Sequence, residues 1–130
     1  MNLYTHTNTE VRIARFHNIF GPHSEYDSGR EKVPAALCRK IAKCKDGETI
    51  QVYGTGNQVR SFLYITDCLD SIEDLMNSDY SDPINIGSDF TISINDLAKK
   101  IIAISGKSIH IKNIDVTQIG VHHQVNGINS

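Results

Sequence analysis

The rhythm of apolar and polar residues changes several times along this 130-residue chain. Val11, Ile13, Ala14 and Phe16 make an apolar stretch that stops at Gly21-Pro22, which predicts a strand over about 11–19 and then a break. Residues 23–32 are polar and contain glycine, as a loop over a site would. Pro34 suits a first helical turn, where its missing N–H is harmless, and Leu37, Cys38, Ile41 and Cys44 recur at helical spacing with Arg39, Lys40 and Lys43 on the opposite face. Ile50 and Val52, then Phe62 and Tyr64, alternate on either side of Gly54-Thr55-Gly56-Asn57, predicting two short strands around a turn. A second helix, capped by Thr66 or Asp67, carries Cys68, Leu69, Ile72, Leu75 and Met76 on one stripe. Residues 83–87 read as a brief buried strand. Ser93-x-x-Asp96 resembles a capping box before Ile94, Leu97, Ala98, Ile101 and Ile104, and Gly106 closes that third helix. Ile109 and Ile111 alternate with His110 and Lys112 as a last strand; beyond residue 113 the pattern fades into an irregular tail, expected to be mobile.

Strands alternating with helices imply an α/β fold with parallel pairing wherever a helix intervenes. A hydrophobic fraction of 39% supports one modest core, and a net charge of −2 supplies no field for nucleic acid or an anionic membrane, so any grip on phosphate has to be local. The longest apolar run, 101–104, is far short of the roughly 20 residues a bilayer span needs, and no secretory segment opens the chain, so a cytoplasmic setting is the default. Cys38, Cys44 and Cys68 are an odd set without C-x-x-C spacing and read as reduced, core or half-buried thiols. His122-His123 is a poor metal motif, since neighbours in extended chain point apart and no further ligands are evident; no metal is expected.

Three runs fit together: Arg15-Phe16-His17-Asn18-Ile19-Phe20-Gly21-Pro22, Gly29-Arg30-Glu31-Lys32, and Tyr53-Gly54-Thr55-Gly56 leading into Arg60-Ser61-Phe62-Leu63-Tyr64-Ile65. Over about residues 11–121 they resemble the C-terminal, substrate-binding part of the NAD-dependent sugar-nucleotide epimerases and dehydratases, the extended short-chain dehydrogenase/reductase family. The resemblance implies late strands of a Rossmann-type parallel sheet at about 11–19 and 83–87 plus the small substrate-binding lobe. Residues 1–10 would then be a leader from a preceding helix, 11–113 the substrate-binding region and 114–130 the tail. It implies NAD as cofactor of a full-length, homodimeric enzyme of isomerase type, and a nucleotide-sugar as substrate. G-R-E-K favours GDP-mannose within the family. A dinucleotide cradle needs glycines at a strand-to-helix turn, and neither G-x-G-x-x-G nor the family's Tyr-x-x-x-Lys occurs here. The expectation is therefore that this chain alone holds no cofactor and is inactive.

Lys32 is the catalytic candidate. In the family pattern the G-R-E-K lysine is one of two acid/base groups that move protons at the carbons beside a transiently oxidised C4. A lysine of ordinary pKa, about 10.4, is a poor base at neutral pH, so burial or the neighbouring Arg30 would have to lower it. An arbitrary lysine in a loop is more often simply solvated. Asn18 matches a substrate-binding asparagine and equally suits a turn. Arg60 matches the arginine that holds the nucleotide diphosphate, a planar fork fit for phosphate oxygens, against the alternative of a cross-strand ion pair. Arg30 is a second candidate for phosphate or sugar, and Gly54 and Gly56 would shape a turn close to the nucleotide. His17 is expected to be packed. The tail, Gly120-Val121-His122-His123, departs from the family's arginine-bearing run. Two other readings stand beside this one: another sugar-nucleotide epimerase or dehydratase of the family, and a non-catalytic nucleotide-sugar-binding or assembly module.

Overall fold

The computed structural model describes residues 8–115; the tail residues singled out above, His122 and His123 among them, lie outside that range. In chain order the elements are β1 (Ala14–Phe16), β2 (Ile19–Phe20), α1 (Val33–Lys43), β3 (Thr49–Tyr53), β4 (Val59–Ser61), β5 (Leu63–Tyr64), α2 (Ile65–Met76), β6 (Ile84–Ile86), β7 (Thr91–Ser93), α3 (Ile94–Ser105) and β8 (His110–Ile114). The described residues divide into two units, 8–21 with 61–90, and 22–60 with 91–115. The α/β class and the parallel pairing agree with the sequence pattern: β1 runs parallel to β6, β2 to β5 and β3 to β8.

In the first unit the predicted strand over 11–19 is two strands. The break falls at Asn18, whose φ of 48° puts it in the left-handed region that asparagine tolerates better than most residues. The ladder of β1 with β6 sets Ala14 against Ile84 and Phe16 against Ile86. His17 extends it by donating its N–H to the Ile86 carbonyl at 3.0 Å, but its side chain is exposed, not packed. Beyond Asn18, β2 joins β5, and the Phe20 ring meets Phe62 and Tyr64 edge-on, at centroid distances of 6.2 and 5.5 Å. Helix α2 starts two or three residues earlier than the capping expectation: Tyr64 is the N-cap, without a side-chain cap, and Thr66 and Asp67 lie inside the first turn, where the Asp67 carboxylate favours the helix dipole. Its buried stripe is also narrower than the sequence suggested, with Cys68 and Leu75 buried and Leu69 and Met76 exposed. Arg12 ties the segment before β1 to the end of this helix through two bonds to the Ser78 carbonyl, 2.7 and 3.2 Å.

The second unit holds the larger core. Ile50 and Val52 of β3 alternate with exposed Thr49, Gln51 and Tyr53, the period-two pattern of a strand with one buried face. They pack with Ile109, with Leu37 and Ile41 of α1 and with Ala98 of α3. Pro34 lies in the first turn of α1 and Lys32 is the N-cap. Ser93 caps α3 by accepting the Asp96 N–H at 3.1 Å, and Gly106 ends it, both as the pattern predicted. The three cysteines are free, but Cys38 is exposed, unlike half-buried Cys44 and buried Cys68. Among the described residues no helix is long and apolar enough to cross a membrane and no cluster could hold a metal.

One side chain closes this unit. Lys107 Nζ donates to the carbonyls of Ile41, Ala42 and Cys44 at 3.1, 3.0 and 2.8 Å, satisfying the orphan acceptors that every helix C-terminus leaves. Lys107→Met keeps the aliphatic stem and removes all three bonds, so it should destabilise the chain by roughly 1.5–3 kcal/mol, the range for bonds to a charged group. Urea unfolding checks this: a loss below about 0.5 kcal/mol would remove Lys107 from the supports of the fold.

Candidate functional site

Lys32 and Arg30 flank Glu31 just before α1, and the three residues alternate. Arg30 and Lys32 are exposed, while the Glu31 side chain is only 7% exposed. Lys32 has extended backbone (φ −71°, ψ 159°), and its carbonyl accepts the Ala36 N–H at 3.0 Å as the helix begins. The burial expected at Lys32 is therefore absent among the described residues. Glu31 instead takes the inward position: one of its oxygens pairs with Arg39 Nη2, whose other amino group reaches Asp27 Oδ1 at 3.3 Å, and Lys43 approaches Asp27 at 3.8 Å. Its own backbone N–H, and after it the Arg39 guanidinium, hold the Glu31 carboxyl below its ordinary value of 4.5. Lys40 is also less solvated than a helix's polar face suggests. It donates to the Gln51 carbonyl at 2.9 Å and sits 5.0 Å from the Tyr53 ring centre, and burial, with Arg39 beside it, lowers its pKa.

Arg60 follows a braced turn. Gly54 donates its N–H to the Ile114 carbonyl at 2.8 Å, so the turn grows directly out of the β3–β8 ladder. Gly54 and Gly56 have φ of 76° and 71°, and a Cβ on Gly56 would run into the Asn95 amide. Both positions thus require glycine for the turn itself. Asn95 anchors it from the other side: its N–H donates to the Gly56 carbonyl at 3.0 Å, and its side-chain amide donates to Thr55 O at 3.3 Å and exchanges two bonds, 3.1 and 3.0 Å, with the amide of Asn113. Ile94 adds a bond to the Gln58 carbonyl at 3.1 Å. Two residues on, Arg60 is exposed and donates to the carbonyl of its own neighbour Val59 at 2.9 Å. Among the described residues it joins no ion pair, cross-strand or otherwise.

Asn18 belongs to the first unit, whereas Arg30, Lys32, Gly54, Gly56 and Arg60 belong to the second. The Asn18 carbonyl accepts the Leu63 N–H at 3.1 Å, its side chain is exposed, and its left-handed backbone accounts for asparagine as a turn residue while leaving the amide outward. Sequence reasoning missed Glu31, Arg39, Asn95 and Asn113. Only the charge complementarity of Glu31 with a basic residue in the second turn of the following helix was there to be noticed; the Asn95–Asn113 pairing depends on the β3–β8 register.

The family model described as the NAD dependent epimerase/dehydratase family matches residues 2–87, and the chain belongs to that family. Its relatives include GDP-mannose 3,5-epimerase of Arabidopsis thaliana, 42% identical over 105 residues that make up 81% of this chain and 27% of that protein. UDP-glucuronic acid decarboxylase 5 of the same plant is 36% identical over 108 residues, 83% of this chain and 30% of that protein. Among solved structures, UDP-glucuronic acid 4-epimerase from Bacillus cereus, in complex with UDP-glucuronic acid and NAD, superposes with a TM-score of 0.65 at 26% identity, covering 80% of this chain and 32% of that one. The resemblance read from the motifs is borne out, and the chain spans less than a third of each of these relatives.

Two carboxylates of this unit, Glu31 and Asp96, carry lowered pKa values, Asp96 through Ser93 and then Lys99. A carboxyl lowered on folding stabilises the native state fully above its unfolded pKa and loses that contribution as pH falls through the folded one. Stability should hold above about pH 4.5 and decline below it, and Glu31→Gln should flatten part of that acid limb. Thermal melts at stepped pH test this; an acid limb identical in wild type and variant would contradict it.

Proposed function

We propose that this chain is the substrate-binding portion of an NAD-dependent nucleotide-sugar epimerase whose substrate is GDP-mannose. The observation that carries the reading is the outward presentation of Arg30, Lys32 and Arg60 in a chain of net charge −2: three cations left to solvent, one of them directly after a turn held by four hydrogen bonds. An exposed planar guanidinium suits the nucleotide diphosphate bidentately, and the match of Arg60 to the family's phosphate-binding arginine supports that role for it, with Arg30 as a second contact. Lys32 is the acid/base group at the sugar ring, and Asn18 offers an amide that both donates and accepts. Gly54 and Gly56 act by shaping the turn. GDP-mannose is favoured by G-R-E-K and by the 42% identity to an enzyme named for that substrate; the UDP-sugar relative at 36% supports the broader class.

NAD does not fit the described residues. The helices here begin after Lys32, Tyr64 and Ser93, none of them a glycine turn, and the Gly54–Gly56 turn is filled by Asn95 and ends in a strand. The transient oxidation that acidifies the sugar's C–H bonds is the cofactor's chemistry, held by the part of the full-length homodimeric enzyme that these residues do not include. By itself the chain acts as a nucleotide-sugar-binding module without turnover.

Isothermal titration of the 130-residue protein should give a measurable GDP-mannose affinity and no NAD binding. Arg60→Lys should weaken GDP-mannose by about tenfold, roughly 1.4 kcal/mol, with the melting temperature unchanged. Unaltered affinity with a melting temperature lowered by several degrees would make Arg60 a structural residue. In a complete enzyme, Lys32→Ala should stop solvent deuterium from entering the sugar while substrate affinity stays within a few-fold; deuterium entering at the wild-type rate would exclude Lys32 from the chemistry.

A further inference from the structure

Glu31 sits between two solvent-exposed candidates with its own side chain only 7% exposed, and has a charged partner in the second turn of α1. Exposure alternates over Arg30, Glu31 and Lys32, and Lys32 has extended backbone, so holding Glu31 inward goes with Arg30 and Lys32 facing outward. The hold is strong by its nature. One Glu31 oxygen is engaged by Arg39 Nη2, while Glu31 Oε2 and Arg39 Nε are buried with no hydrogen-bond partner among the described residues. Withdrawing either partner leaves a carboxylate 7% exposed or a guanidinium 24% exposed without its counter-charge, which costs more than losing a fully exposed ion pair. Asp27 extends the same contact four residues back along the loop, at 3.3 Å from Arg39 and 58% exposed, and the Ser28 hydroxyl, which bonds to Glu25, accepts the Arg30 N–H at 3.3 Å. The loop before α1 is therefore fastened to the helix at Asp27 and Glu31, on either side of Arg30.

We propose that Glu31 and Arg39 are a positioning pair: together they clamp residues 27–32 onto α1 and set the direction in which Arg30 and Lys32 meet a nucleotide-sugar. Glu31 touches no substrate; it acts through its two neighbours. This role rests on the reading of Arg30 and Lys32 given above, and it explains why an acidic residue stands between two cations that would otherwise gain from an exposed, mobile carboxylate.

The test uses the 130-residue chain with Glu31→Gln, Arg39→Lys and the double variant, read by amide hydrogen exchange and by GDP-mannose titration. Each single variant should raise exchange at residues 28–33 by about tenfold while amides of α3 and β3 keep their protection. Each should weaken GDP-mannose by about tenfold, and the double variant should be no worse than either single one, because one interaction is lost in all three. Unchanged exchange at 28–33, exchange that rises equally in α3, or additive effects in the double variant would each overturn the positioning role. If wild type fails to bind GDP-mannose, the substrate reading falls, while the exchange data still decide whether Glu31 and Arg39 clamp the loop.

Discussion

Parallel pairing of Thr49–Tyr53 with His110–Ile114 is the constraint on which the second unit depends. Parallel strands cannot be joined by a hairpin, so the chain must leave β3 by a turn and return to β8 through an intervening helix. Each consequence is visible in named contacts. The ladder's end supplies the Ile114 carbonyl for Gly54, its register puts Asn113 beside Asn95, and Asn95 grips the Gly56 carbonyl. The same register buries Ile50 and Val52 against Leu37, Ile41 and Ala98. Arg60 inherits its place from this chain of contacts, because the turn it follows is held by the ladder at one end and by the start of α3 at the other.

The short G-R-E-K run divides its work by direction. Two cations face solvent and the carboxylate between them faces the helix, so four consecutive residues contain both a candidate reactive surface and its anchor. The anchor is electrostatic where an apolar side chain could have been used. A charge pair with hydrogen-bonding geometry fixes orientation as well as proximity, whereas an apolar contact would tolerate rotation of the loop about the helix.

Much of this was legible in the sequence because it is local. The helical stripe of Leu37 and Ile41, the Ser93 cap, the Gly106 stop and the alternation at Ile50 and Val52 are all dictated by neighbours a few residues away, and they fall where the pattern put them. What failed was set by distant partners or by a single backbone angle. Asn18 splits a strand that composition alone would continue, Tyr64 displaces Thr66 and Asp67 as the cap of α2, and Arg39 is drawn inward by Glu31 although helical spacing put it on the polar face. At the candidate site, motif resemblance supplied Arg30, Lys32 and Arg60. It could not supply Asn95 or Asn113, whose meeting requires the β3–β8 register.

The central claim is that the outward cations of this chain receive a nucleotide-sugar and that its described residues offer no seat for the dinucleotide. Backbone amide resonances of the 130-residue protein, followed by nuclear magnetic resonance during separate titrations with GDP-mannose and with NAD, test both halves at once. The account predicts saturable shifts with GDP-mannose at residues 30–32 and 54–60, and none with NAD. Shifts from NAD at 54–60, or GDP-mannose shifts confined to residues outside both segments, would contradict it.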